Sequence, residues 1–600
     1  MKLCIVCGVS VVVAATGIRD AAASRVCFVD ATGGSDTAGT GSTSLPYQTI
    51  NYTLSITGTP CTEIRLKAGT YDEHVIVTRQ GADESERLVI TSDNAAIPAT
   101  ISPTTRNAAM PRQAAIAFYD AAFVTLRNVV ITNNIDAYCT GISGAAAPVS
   151  SSYCNSAGID IRNASSFNNV GSGASSHHII ITGNEIRDVR RASMRTTVDA
   201  VTHNPDFVCG AASSTCVRRY DALPVSVYSD RDGLNAIGAP DASEATNHIQ
   251  ILNNSIHDCD GSSDVNSVNT IDVYQNVAHV LVAGNTIDDV ISASSYPGAG
   301  GAIGVGGIDP VGSASDAYQR ARNVVVRDNH VTDAGIGVFV QSATNILIER
   351  NLVERVAIGM QVVTEGTAGR TYSAGRADRI WIRDNRIFEA QGWGIDLGAL
   401  SIDCATGYSP VQNVYVTNNT IKTSLLTTGV LATFGVIVRA GVDGDSQLLN
   451  NVIQSEFPSG SLYDSLLRTE EQEVICSGVP FTMPYTVTLD YNLWFAMSTA
   501  RTNLFVAFSL PTYAPTYQTF GDYQVWGDAN GKNIDPMLAS NGQVTSSSSP
   551  AVNAGTNSRT PSWASTFGDY DTGIETDCLG QSRTMARGVN VIDMGACEWQ

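Results

Sequence analysis

Six short segments of this 600-residue chain share one grammar, an apolar residue on either side of a variable one: "GIDIRN" (158–163), "TIDVYQ" (270–275), "GVFVQS" (337–342), "GMQVVT" (359–364), "GIDLGA" (394–399) and "GVIVRA" (435–440). In an extended chain, successive side chains point to opposite faces. If Ile159 and Ile161 turn inward, Asp160 and Arg162 turn outward. The same parity turns out Asp272 and Tyr274, Phe339 and Gln341, Gln361 and Val363, Asp396 and Gly398, and Ile437 and Arg439. Stacked in register, these form a strip of carboxylates, amides, guanidiniums and rings. Carboxylates and amides hydrogen-bond sugar hydroxyls, and rings offer apolar faces to pyranoses. Glycoside hydrolysis needs two carboxyl groups, about 5–5.5 Å apart for retention or about 6.5–9.5 Å for inversion. Asp396 with Asp272, Asp403 or Glu365 is a candidate pair. Elimination beside a uronate carboxyl needs a base and cationic help for the developing charge. Asp396 leads the candidates, with Trp393 as a wall and Gly394 and Gly398 leaving room for a ligand. The competing expectation is a solvated outer face.

What positions these residues is a repeat. A phrase of His or Asn, alternating apolar residues and a later Asn recurs as "HIIITGNEI" (178–186), "HIQILNNSI" (248–256), "HVLVAGNTI" (279–287), "NVVVRDNHV" (323–331), "NILIERNLV" (345–353), "RIWIRDNRI" (379–387) and "NVYVTNNTI" (413–421), with a degenerate copy from Ser446. Self-similarity of this kind marks a solenoid, and a period of two rich in Val and Ile marks strands. The expected fold is a right-handed parallel β-helix with coils about 4.8 Å apart. The eight recurring Asn (184, 254, 285, 329, 351, 385, 419 and 451) are expected to bond the backbone of their own turn and the next coil. His178, His248 and His279 occupy the place of Asn323 and Asn345, which points to turn chemistry. Insertions at 136–157, 190–247, 292–320 and 364–378 are expected as loops at coil corners.

A net charge of −21 repels nucleic acid and offers no basic handle to anionic lipid. The first 23 residues read as an export signal: Lys2, an apolar run, then Ala21 and Ala23 before the cut. No later run is long enough to span a membrane. In an exported chain the remaining cysteines read as disulfides, pairing as sequence neighbours: Cys27–Cys61, Cys139–Cys154, Cys209–Cys216 and Cys578–Cys597, with Cys404–Cys476 a further pair and Cys259 left over.

The ends of the chain carry a resemblance. Pro46, Tyr47, Thr49, Ile50, then Gly69, Thr70, Tyr71 and Glu73 are similar to the opening of exported β-helix proteins of the pectate-lyase-like superfamily. "SSPAVNAGT" (548–556) and "DMGACEW" (593–599) resemble their closing region. The resemblance implies an N-terminal cap with first coils (24–114), a coil body (115–456) and a C-terminal capping region (457–600). Some β-helix lyases place a Lys on one coil and an Arg on the next, and Lys422 with Arg439 is the counterpart here. The phrases of polygalacturonases and the Arg-x-Pro-x-x-Arg phrase of pectate lyases are absent. Acidic loops at Asp30/Asp36, Asp258/Asp260/Asp264 and Asp569/Asp571 are where calcium would bind.

The expectation is a secreted, monomeric β-helix protein acting on a polysaccharide, as a lyase or glycoside hydrolase. Its catalytic candidates are Asp396, Arg439, Lys422 and Asp272. Its binding candidates are Asp160, Arg162, Tyr274, Phe339, Gln341, Gln361 and Trp393. The alternative is a non-catalytic carbohydrate-binding or matrix protein.

Overall fold

The computed structural model describes residues 25–134 apart from a few positions between 106 and 112, the coil strands from 156 to 456, and much of 464–597. Outside the described residues lie 1–24, the connections 135–155, 163–174, 191–206, 210–215, 219–221, 229–245, 261–268, 292–300, 308–319, 365–376, 400–410 and 425–432, and several tail segments. The export signal, Cys139, Cys154, Cys404, Asp264, Asp569 and Asp571 fall among these.

Each coil contributes one strand to each of three long sheets, of 14, 13 and 12 strands. The pairing is parallel throughout the coils, as between Thr344–Glu349 and Ala377–Arg383. This is a right-handed parallel β-helix. The Val and Ile of the repeat phrases fill its interior: Val324, Ile346, Ile380 and Val414 form one fully buried column. The glycine that opens many outer-strip segments is set by packing. A Cβ on Gly337, Gly359, Gly394 or Gly435 would come within 2.6 Å of the next coil's carbonyl oxygen and 2.5 Å of a side chain from the 12-stranded sheet.

The corner between the 14- and 12-stranded sheets is only two residues long in every coil from Gly183–Asn184 to Tyr491–Asn492. Its first residue has positive φ, from Gly183 (63°) to Tyr491 (57°), and its second is the recurring Asn. Each Asn Oδ1 accepts from the backbone N–H and from Nδ2 of the Asn one coil earlier, at 2.9–3.1 Å, in an unbroken run from Asn184 to Asn492. Each Nδ2 also donates to a carbonyl of the preceding coil, as Asn351 does to Val326. The run has nine amides rather than eight, because Asn492 in "LDYNLWF" continues it. Asp528 ends it: its Oδ2 accepts from Asn492 and from Trp494 Nε1 at 2.8 Å.

Near the N-terminal end stands the short helix Ile50–Ser55, whose N-cap Thr49 accepts from Tyr52 N–H. Glu73 takes the helix's free N–H groups at Ile50 and Asn51. Cys27 and Cys61 form a disulfide, as do Cys578 and Cys597. Cys209 and Cys216 are register partners of two short antiparallel strands. Cys259 is buried, with its thiol 3.3 Å from the His257 carbonyl.

Residues of the C-terminal region pack back along the coils. Leu281, Val325, Leu347, Trp381 and Tyr415 point out of the 14-stranded sheet, yet all are buried, and Trp563 packs edge-on against Tyr415 at 5.5 Å. Met594, Ala551 and Val544 cover Val452 and Leu493 on the 12-stranded sheet. Described tail residues therefore touch two of the three outer faces.

Candidate functional site

The third face belongs to the 13-stranded sheet. Every stretch of eight or more residues that separates two consecutive coil strands between 135 and 463 enters or leaves one of its strands, counting 191–221 with its small hairpin as one insertion before Ala222–Tyr228. The two-residue Asn corner never carries one, since the amide run would break. Long loops on a rigid frame are where binding residues gather, so geometry directs attention to this sheet.

Its register sets Asp160, Ser226, Asp272, Gly304, Phe339, Gln361, Asp396 and Ile437 in one column. Tyr228, Tyr274, Gly306, Gln341, Val363 and Gly398 form the next. The neighbours of Asp396, Ile395 and Leu397, belong to the interior, so Asp396 faces out. The strip is not the solvated face that sequence allowed. Asp160 and Asp396 are fully buried, and Asp272, Gln341, Gln361 and Phe339 expose under a tenth of their surface, because charged partners and rings close over them.

The pairings proposed from sequence change accordingly. Asp272 and Asp396 are four coils apart, roughly 19 Å at the strand spacing, far beyond a glycosidase pair. Asp403 and Glu365 lie outside the described residues. Lys422 sits on the 12-stranded sheet between Phe388 and Gln454, whereas Arg439 follows a strand of the 13-stranded sheet. The two lie on different faces, so Lys422 and Arg439 do not form one centre.

Arg439 instead meets Asp396. Its Nε donates to Oδ1 at 2.7 Å and its Nη2 to Oδ2 at 3.2 Å, while Gln361 Nε2 donates to Oδ2 at 2.8 Å. Burial works against the Arg439 charge, but Asp396 outweighs it and holds the guanidinium charged above its ordinary range. The guanidinium lies 5.0 Å from the centre of the Trp393 ring. Its other edge, Nη1, is 3.6 Å from Glu470 Oε2, and Glu470 also pairs with Arg468 Nη2. Arg468 lies over Phe434 at 4.9 Å, and burial lowers its pKa against the pull of Glu470. Arg439, Glu470 and Arg468 keep 20, 19 and 26% of their side-chain surface exposed. The indole N–H of Trp393 is buried with no acceptor among the described residues. The room expected beside Gly398 and Gly394 is taken. A Cβ on Gly398 would strike Arg439 Cβ at 2.4 Å, and one on Gly394 would strike Ile421 at 2.3 Å. Gly398, at φ 144°, makes space for the arginine rather than for a ligand.

At the other end of the strip, Arg162 Nε donates to Asp160 Oδ1 at 2.7 Å and lies over Tyr228 at 4.9 Å. Tyr119 donates to Asp160 Oδ2 at 3.4 Å. Asn269 donates to Asp272 Oδ1 at 2.8 Å, and Tyr274 packs against Tyr228 with ring centres 5.6 Å apart.

The acidic loops have other work. Asp30 accepts from Thr32 and Gly33, and Asp36 from Gln48 and Thr49. Asp258 pairs with His257. No group of three His, Cys, Asp or Glu gathers for a metal among the described residues.

Sequence reading missed Glu470, Arg468, Phe434 and Asn269. "LLRTE" (466–470) has the same alternation as "GVIVRA" but no leading glycine, and Asn269 stands just before the apolar pattern begins.

No family model matches the chain, and no curated protein does. Among solved structures it is similar to XylC in complex with xylose, at 12% identity over 86% of this chain and 87% of that one, TM-score 0.44. It is also similar to the PL6 family polysaccharide lyase Pedsa3628 from Pseudopedobacter saltans (10%, 81% and 91%, TM-score 0.41) and to the pectate lyase Pel9A (11%, 96% and 96%, TM-score 0.38). At these identities the likeness is one of fold.

Proposed function

We propose that this protein binds an acidic polysaccharide along the outer face of the 13-stranded sheet and cleaves it by elimination. One observation carries this: Arg439 and Arg468 flank Glu470 at the partly open end of an otherwise covered strip, beside the unpartnered Trp393 N–H. Hydrolysis needs two working carboxyl groups, and Asp396 has both oxygens occupied by three donors. Asp396 then anchors Arg439 instead of exchanging protons. A uronate carboxylate entering between the guanidiniums would take charge-assisted hydrogen bonds and draw them away from Glu470, strengthening it as a base. Glu470 would accept the proton beside the carboxylate. The C–H bond pair becomes the carbon–carbon double bond, the glycosidic C–O pair leaves with the oxygen, and that oxygen takes the proton from Glu470. Guanidinium contacts to the carboxylate stabilise the charge that builds up.

A second reading, binding without cleavage, draws on the same saturated Asp396. Two disulfides suit a place outside the cytoplasm, no described helix is long and apolar enough to cross a membrane, and the protein is taken to act as a monomer. The test is incubation with alginate, polygalacturonate, dermatan and neutral xylan. Ultraviolet absorbance from an unsaturated uronate is the expected result. New reducing ends without that absorbance would mean hydrolysis, and binding with neither selects the second reading.

A further inference from the structure

One coil of the strip has glycine at all three outer positions. Gly301 stands between Asn269 and Ile336, Gly304 between Asp272 and Phe339, and Gly306 between Tyr274 and Gln341. The missing side chains let Asn269 lie across the coil. A Cβ on Gly304 would sit 1.8 Å from its Nδ2, and one on Gly301 2.3 Å from its Oδ1. Nδ2 donates to Asp272 Oδ1. A carboxylate only accepts, which settles the amide's orientation and leaves Oδ1 over Gly301. Among the described residues that oxygen is buried without a donor, in a residue 4% exposed. An amide acceptor withdrawn from water and left unsatisfied is costly and calls for a partner.

The partner must supply an O–H or N–H. The adjacent carboxylate of Asp272 disfavours an anion. Phe339, whose Cβ is 3.7 Å from the Gly301 Cβ position, supplies an apolar flank. We propose that the Gly301–Gly306 coil is a second subsite, which takes an uncharged pyranose by a hydroxyl donated to Asn269 Oδ1. It lies three coils, roughly 14 Å, before Asp396. Resting on the polysaccharide reading above, this narrows the substrate class to polymers carrying both acidic and neutral residues.

Saturation-transfer NMR with methyl β-galactoside and methyl β-xyloside tests the subsite without depending on catalysis. The intact protein should give a signal with at least one of them. Asn269→Ala should weaken that affinity about tenfold, the loss of one hydrogen bond to a buried acceptor. Gly304→Ala, which displaces the amide, should remove the signal. Glu470→Gln should leave it in place while abolishing cleavage of acidic polymers. No signal from the intact protein, or an Asn269→Ala variant that binds as the parent does, overturns the subsite even if acidic polymers are cleaved. Neutral-glycoside binding without any cleavage keeps the subsite and removes the catalytic proposal.

Discussion

The two ends of the outer strip are built from the same parts and differ in what they leave unsatisfied. Each has a fully buried Asp paired with an Arg that lies over an aromatic ring: Asp160, Arg162 and Tyr228 at one end, Asp396, Arg439 and Trp393 at the other. Arg162 keeps only 4% of its side chain exposed and Arg439 keeps 20%. Two coils in from the N-terminal end, Asn269 Oδ1 is an acceptor without a donor among the described residues. The C-terminal end leaves a donor over, at Trp393 Nε1, beside two partly exposed guanidiniums. The motif alone therefore does not decide ligand charge. What decides it is the polar atom for which the fold provides no partner.

The sharpest way to break this contrast is Arg439→Ala. It should reduce turnover of a uronate polymer about 100-fold or more and leave neutral-glycoside binding unchanged. It also strands Asp396 with Gln361 alone, so urea unfolding should show a loss of about 3–5 kcal/mol. Equal loss of acidic and neutral binding would erase the distinction between the ends.

Acidity should act elsewhere, on the carboxyl that ends the amide run. Burial raises the Asp528 pKa from its usual 3.8 to about 6. The folded state therefore favours the protonated acid, and its contribution weakens as pH rises from about 4 through 6. Asp528→Asn, which gives the amide run a tenth amide, should raise stability above pH 6 on the order of 2 kcal/mol and change nothing near pH 3.5. A Tm difference that does not vary with pH would refute this.

Asn351→Ala is the control. It lies in the run beneath the middle of the strip and should cost about 1–3 kcal/mol by leaving buried partners unpaired. The ratio of acidic to neutral binding should stay constant. A shift in that ratio would show the corner steering ligand choice.

The smallest effect concerns the ring stack Phe123, His178, His248 and His279, with neighbouring ring centres 4.5–4.9 Å apart. Burial, then His248 and His177, lower the His178 pKa below its usual 6.5, against the pull of Glu84. Stability from the neutral ring is lost as pH falls below 6.5. Hydrogen exchange between pH 7 and 5 should therefore quicken in coils around 178–280 before those around 380–450. Uniform protection across that range would remove the stack as a pH-sensitive element.

Legibility followed period. The apolar alternation of "NILIERNLV" or "GIDLGA" fixes parity, because a strand has only two faces, and parity alone put Asp396 and Gln361 on the outside. Neighbours across coils are another matter. Asp396 and Arg439 are 43 positions apart, with a connection between them whose length no repeat dictates. Glu470 and Arg468 lie where the phrase has decayed, and Asn269 matters only because Gly301 and Gly304 happen to stack on it.

From its residues alone the chain determined a parallel β-helix, the nature of its corner and two of its disulfides. Local periodicity, turn chemistry and short sequence separation carry that information. Tertiary structure decided which sheet receives the long connections, which carboxylates are already spent on an arginine, and which buried atoms lack a partner among the described residues. Those depend on how coils of unequal length stack and where the tail returns, and hydrogen-bond satisfaction is settled only when every neighbour is in place.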